Sequence, residues 1–348
     1  MNAPQSILVI NVTRIGDTLL AVPALRALAE HWPQARLTVL GHPKRVEVLQ
    51  NLPFLAEVGG ITKAQAAWRG WLPGKTHDLA LVYGHDTALI NYALRCARQV
   101  VAFRQSSERI NTRLYRVVEP AEPGREHAVD QALRLPTALG IQATSRRLQF
   151  ALSKTERAEA LAAYAAHGLA ERHPRIGLQI ASFPTKAYRD WPEDSFVELC
   201  LQVLQAFPEA CFLLFGGPDD LSRVERVCRR IGRAAINLAG LPLRPTAALM
   251  AGLDAYVGVD TGPTHIMGCF DVPLVGLYHC RLPRRLYGAL DHHLDFSLDH
   301  PRLAEGGDET TPMAEIGVAS VFQQLCAALK AGAATRVMAQ EFTSERKK

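Results

Sequence analysis

From its first strand-like segment, the chain alternates two kinds of hydrophobic spacing. Ile7–Val12 is a short β-branched apolar run, as expected of a strand buried on both faces. Behind it, Asp17–His31 places Leu20, Ala24 and Leu28 on one helical face, with Trp32 just beyond. Pro23 lies inside this stretch, so a helix either starts or kinks there. Strand spacing returns at Arg36–Leu40, Asp78–Tyr83 and Gln99–Phe103, with helices expected near Lys44–Asn51 and Thr87–Arg98. Such βα alternation predicts a parallel sheet with helices on both faces.

The second half repeats the pattern. Strands are expected at Arg175–Ala181, Ala210–Phe215, Asp254–Val259 and Pro273–Tyr278. Helices are expected at Asp194–Phe207 and Asp220–Ile231, with a short one at Pro263–Phe270. An Ala-rich helix, Lys154–His167, and a linker, Gly168–Pro174, put the junction near Ser153–Pro174. The domains are therefore expected at 1–160 and 170–312, followed by a C-terminal helix within 313–335. Two α/β halves imply a cleft, with ligands beyond the carboxyl ends of the strands.

At 348 residues the chain exceeds one ordinary core. Hydrophobic residues at 48% and charged residues at 21% make an ordinary globular balance, and only the polar tail Gln340–Lys348 is expected to fray. A net charge of +5 lacks the strong bias of a nucleic-acid binder. Seven cysteines, with no C-x-x-C pair, read as buried free thiols of a reducing compartment, without a zinc site. The leading MNAPQS lacks a targeting pattern and no run of about 20 apolar residues occurs, so a cytoplasmic location is expected.

Three motif readings fail. The turn after the first strand, Thr13-Arg14-Ile15-Gly16-Asp17, holds one glycine and so is not a dinucleotide fingerprint. Arg69–Thr76 misses phosphate-loop spacing by one place, and no G-x-S-x-G occurs.

Four turns remain, each between a strand and a helix. Gly16 permits a tight turn, and Asp17 then serves as a helix N-cap or as a general base. Val257–His265, reading VGVDTGPTH, delivers Asp260 to a strand end, then offers Thr261, Gly262 and Pro263 at a helix start with His265 in its first turn. That is an anion site or a capped structural helix. Ile180–Pro192 carries Ser182, Lys186 and Arg189 and suits a diphosphate, unless it is a solvated loop. Asp220, after Gly216-Gly217-Pro218, is either a cap or a contact to ribose hydroxyls.

Taken in order, these segments resemble glycosyltransferase family 9, the bacterial ADP-heptose:lipopolysaccharide heptosyltransferases. The resemblance rests on ILVINVTRIGDTLLAVPALRAL, on VGVDTGPTHIMGCFDVPLVGLY and on Arg189-Asp190-Trp191-Pro192, and extends from about residue 7 to 280. It implies a GT-B fold, two Rossmann-like domains across a cleft, with no metal or cofactor. The first domain would take the acceptor and the second ADP-heptose, while the C-terminal helix packs back on the first. Asp17 becomes the catalytic base. Ser182, Lys186, Arg189, Asp220, Asp260, Thr261, Gly262 and His265 fall to the donor, with Lys186 and Arg189 competing for the diphosphate because Arg189 stands where the family commonly has lysine.

Acceptor contacts are expected from Gly16 and from the arginine-rich stretch 95–116, through Arg104, Arg109 and Arg113. This stretch suits an anionic lipopolysaccharide inner core or the inner-membrane surface, unless it is a solvated basic face. His279, His292, His293 and His300 read as surface residues. Two other functions fit the same turns: a GT-B transferase using another nucleotide sugar or acceptor, and a non-catalytic nucleotide-sugar-binding protein.

Overall fold

The computed structural model describes residues 3–69 and 75–345, with side chains as far as Thr335. Residues Gly70–Gly74 of the failed phosphate-loop segment, and the last three residues of the polar tail, lie outside the described residues. The chain divides into two units, Met1–Ala151 and Leu152–Lys348.

The first unit is built on six strands: β1 (Ser6–Asn11), β2 (Arg36–Gly41), β3 (Glu57–Gly60), β4 (His77–Val82), β5 (Ala97–Phe103) and β6 (Arg116–Val118). They lie in the order β3-β2-β1-β4-β5-β6, every pair parallel. Ile7, Leu8, Val9 and Ile10 are each at most 1% exposed, so β1 is covered on both faces. This is why its sequence is a continuous apolar run and not an alternating one. The stretch Asp17–His31 becomes two helices, Ile15–Leu20 and Val22–His31, which meet at Ala21. Pro23 falls in the first turn of the second helix, where its missing N–H leaves no bond unmade. The helix expected at Lys44–Asn51 is reduced to one 3-10 turn, Val46–Leu49.

The second unit repeats the plan with β7 (Arg175–Gln179), β8 (Cys211–Phe215), β9 (Ala235–Asn237), β10 (Ala255–Val259), β11 (Leu274–Tyr278) and β12 (Leu298–Asp299). Their order is β12-β11-β10-β7-β8-β9, again all parallel. In both sheets the first strand of the unit lies beside its fourth, which makes β1/β4 and β7/β10 the switch points where α/β sheets bind ligands.

Two expected boundaries move. The helix Lys154–Ala166 opens the second unit. Its capping box at Ser153 and Glu156 is extended by an ion pair from Glu156 to Arg244, on the helix Leu243–Met250. The C-terminal segment, expected to pack back on the N-terminal domain, completes the core of the second unit. Met313, Ile316, Val321, Leu325, Ala328 and Leu329 are buried there with Trp191 and Phe196. The helix runs from Val318 to Glu345, through the part of the polar tail expected to fray.

The histidine expectation is also corrected. His279, His292 and His300 are 0%, 8% and 1% exposed, and only His293 is at the surface. The buried three share one device. Each Nε2 donates to a backbone carbonyl, of Thr311, Phe270 and Pro312 in turn, at 2.8–3.1 Å. Each Nδ1 accepts the N–H two residues further on, so the neutral ring is satisfied at both nitrogens. None of the seven cysteines forms a disulfide, and five are buried.

Candidate active site

At the switch point of the second sheet, Gln179 ends β7 opposite Gly258 of β10. The loops that follow these two strands meet through one buried ion pair. Arg189 Nη1 donates to Asp260 Oδ2 at 2.7 Å, with the side chains 11% and 4% exposed. His265 Nε2 lies 3.5 Å from the other carboxylate oxygen of Asp260. Three of the expected donor residues are thereby brought together.

Below them, β10 and the short helix Gly262–Met267 are tied by hydroxyls. Thr264 Oγ1 donates back to the Val259 carbonyl, and the Tyr256 hydroxyl donates to Thr264 Oγ1 at 3.0 Å. Thr261 occupies the cap position without a side-chain cap bond; its hydroxyl also donates to Val259, at 3.3 Å. The capped-helix alternative for this segment therefore lacks its cap.

The loop 180–192 is held at both ends. Ser182 N–H donates to Asp190 Oδ1 and Ser182 Oγ to the Lys186 carbonyl, both at 2.8 Å. Arg223 clamps Asp190 and Glu193, and the indole N–H of the fully buried Trp191 donates to the Ile316 carbonyl at 2.8 Å. Within this frame the two competing cations differ. Arg189 is neutralised by Asp260, although its buried Nε has no hydrogen-bond partner among the described residues. Lys186 is half-buried and meets no carboxylate among the described residues; its ammonium lies 5.6 Å over the Tyr188 ring. Asp220 closes its own turn through one carboxylate oxygen: Oδ2 accepts the Gly217 N–H at 2.8 Å, as a cap would. Gly216 is required there, because a Cβ would lie 2.9 Å from that of Asp220.

In the first unit, Asp17 follows β1 but is not the N-cap. Arg14 takes that place with extended backbone (φ −75°, ψ 167°), while Gly16 and Asp17 lie inside the first helical turn. Gly16 thus makes no tight turn. The Asp17 side chain is exposed, and among the described residues it makes no hydrogen bond or ion pair. Between the carboxyl ends of β1 and β4 lies a cavity of about 350 Å³, lined by Val12 and Thr13 on one side and Tyr83–Asp86 on the other. Lys63 also lines it and pairs with Asp86 at 2.7 Å.

The arginine stretch resolves into different roles. Arg95 donates to the Ala66 and Arg69 carbonyls, and Arg98 pairs with Asp78. Arg104, an expected acceptor contact, is bound to Glu119 at 2.6 Å and to Glu108 at 3.4 Å. Arg109 and Arg113 are exposed and have no ion pair among the described residues, while Arg116 lies over Tyr115.

Three residues that line the cavity of the first unit carried no motif. His85 and Asp86 follow β4, which the sequence presents as an ordinary βα link, and Lys63 follows β3, which the sequence does not present as a strand. Tyr188 and His279 become neighbours only in the fold, with ring centroids 5.0 Å apart.

The family model described as glycosyltransferase family 9 (heptosyltransferase) matches residues 86–303. The chain belongs to this family. It is a glycosyltransferase of GT-B architecture. This family 9 enzyme is 22% identical over 307 residues to the lipopolysaccharide core heptosyltransferase OpsX of Haemophilus influenzae, covering 83% of this chain and 84% of that one. A family 9 transferase from Veillonella parvula superposes with a TM-score of 0.82 at 21% identity, over 95% of this chain and 99% of that one. The ADP-heptose lipopolysaccharide heptosyltransferase II of Escherichia coli gives a TM-score of 0.77 at 21% identity, over 94% and 99%. Among the described residues, no helix of the enzyme is long and apolar enough to cross a membrane, and no three His, Cys, Asp or Glu side chains are grouped to hold a metal ion.

Proposed function

We propose that the enzyme transfers heptose from ADP-heptose to a lipopolysaccharide inner-core acceptor, with inversion at the anomeric carbon and Asp17 as general base. The first unit takes the acceptor, and the second takes the nucleotide sugar. The donor and acceptor classes are drawn from the similar Escherichia coli and Haemophilus influenzae transferases. The observation that carries the chemistry is Asp17 itself, an exposed carboxylate beyond β1 with no hydrogen-bond or ion-pair partner among the described residues. A carboxylate already engaged as a helix cap would be a weaker base.

In the reaction, Asp17 accepts the proton of an acceptor hydroxyl as its oxygen bonds to the anomeric carbon. The bond from that carbon to the diphosphate breaks, and ADP leaves with the electron pair. Charge growing on the diphosphate is met by Lys186, by the N–H groups of the turn at Thr261-Gly262 and by His265, as preorganised donors stabilise a leaving group. The Arg189–Asp260 pair holds the two loops in register, and Ser182 fixes the backbone that carries Lys186. Asp220 remains the candidate for the ribose. Arg109 and Arg113, with Gly16 beside the base, form the acceptor side, and Arg104 sets the shape of that patch through its carboxylate partners. The enzyme works in the cytoplasm, at the anionic face of the inner membrane.

The test is a transfer assay with ADP-heptose and heptose-free inner-core lipopolysaccharide. Wild type is expected to release ADP, and Asp17→Ala to lose at least about a hundredfold in rate. Equal turnover by the two proteins removes Asp17 from the base role. An absence of turnover by a wild type that binds ADP removes the proposed sugar or acceptor.

A further inference from the structure

The loop that carries Lys186 rests on an aromatic pair, the half-buried Tyr188 against the buried His279. His279, at the carboxyl end of β11, is fully buried and fixed at both nitrogens, by the Thr311 carbonyl at 3.0 Å and the Arg281 N–H at 3.2 Å. Burial pushes its pKa down, so the ring stays neutral and keeps that hydrogen-bond pattern. Tyr188 meets this ring edge-on, with centroids 5.0 Å apart and an interplanar angle of 79°. That is the preferred geometry of an aromatic pair, and it removes the freedom of the Tyr188 ring. The Lys186 ammonium lies over the Tyr188 face at 5.6 Å, within cation–π range. The backbone departs from helical geometry at Lys186 (φ −131°, ψ 18°), and Ser182 Oγ holds its carbonyl at 2.8 Å. A long, entropically costly side chain is thus constrained at its root by a serine and at its tip by a ring.

We infer that Tyr188 is a positioning residue for the transfer reaction: wedged on His279, it holds the Lys186 ammonium preformed for the diphosphate of the donor. This rests on the reading that Lys186 binds that diphosphate. Tyr188 touches no substrate in this scheme. It acts through lysine by lowering the entropy lost when the ammonium is captured. The phenol hydroxyl has no part, so phenylalanine should substitute for tyrosine, and an aliphatic residue should not.

The experiment is ADP binding by titration calorimetry on the full chain, with four variants. Lys186→Met should weaken ADP by at least about tenfold, as loss of a charged phosphate contact does. Tyr188→Leu should weaken it by about five- to tenfold, and Tyr188→Phe by less than about twofold. Added to Lys186→Met, Tyr188→Leu should do nothing more. If Tyr188→Leu leaves ADP binding intact while Lys186→Met weakens it, the positioning role is overturned. It is overturned equally if Tyr188→Leu weakens ADP as much in the Lys186→Met background, since the ring then meets the ligand itself. An unchanged affinity in Lys186→Met instead rejects the diphosphate assignment, and the positioning role with it.

Discussion

Arg189 and Asp260, 71 positions apart in sequence, form a 2.7 Å ion pair that joins the loop after β7 to the loop after β10. Both side chains are nearly out of solvent, so each is the other's compensation for desolvation. Arg189→Ala should cost about 3–5 kcal/mol, because Asp260 is left charged and buried. Thermal unfolding would show it. Removing both charges with Arg189→Met and Asp260→Asn should cost clearly less than the sum of the single changes. Simple additivity would mean the pair is not coupled.

Asp17 makes the opposite prediction. Since it is exposed and unpaired among the described residues, Asp17→Ala should leave the unfolding free energy within about 0.5 kcal/mol of wild type while abolishing most transfer. A large loss of stability would show that the carboxylate is structural after all.

The pair Glu156–Arg244 ties the first helix of the second unit to the helix Leu243–Met250. The Arg244 guanidinium, aided by Ser153, holds the Glu156 carboxyl down at about 2. A depressed carboxylate pKa contributes stability that is complete above the unfolded value, near 4.5, and is lost as pH falls toward 2. Glu156→Gln should therefore destabilise by on the order of 2–3 kcal/mol at pH 7. That difference should shrink between pH 4.5 and 2. Denaturant melts of both proteins across this range test the sign, and a gap that widens in acid would refute it.

Gly258 sits one strand residue before the end of β10, and a Cβ there would lie 2.5 Å from the Tyr256 hydroxyl oxygen. Tyr256 is fully buried and bonded to Thr264 beneath the 260–265 turn, so it has no room to retreat. Gly258→Ala should cost about 1–3 kcal/mol through overpacking. ADP affinity should fall as well, because the Tyr256–Thr264 bond would be displaced. Retained ADP affinity in a destabilised protein would separate the two effects.

The legible part of the fold is the part buried on both faces. The central strands β1, β8, β10 and β11 are near-continuous apolar runs, buried on both faces, and that run is itself the signal. The strands β3, β6, β9 and β12, of two to four residues, lie toward or at the sheet edges. Segments such as Glu57–Gly60 and Leu298–Asp299 carry no hydrophobic period and become strands only because a neighbour supplies the hydrogen bonds.

The same division runs through the site. Motifs after strands marked Asp17, Lys186, Arg189, Asp260 and His265, since a turn between strand and helix announces itself by glycine, proline and polar residues. Sequence alone left Lys186 and Arg189 as equals and Asp17 as a possible cap. The first distinction depends on a partner distant in sequence, the second on the local path of the backbone. Asp260 neutralises Arg189 and leaves Lys186 to the Tyr188 face, and Arg14 takes the cap position from Asp17. The buried histidines make the point most simply. A histidine in a polar stretch looks solvated until the tertiary structure brings a carbonyl such as Thr311 to its ring, 32 residues away for His279. Local spacing determines the order in which strands and helices alternate along the chain. Which charges are neutralised, and which remain to do chemistry, is decided only when distant segments pack.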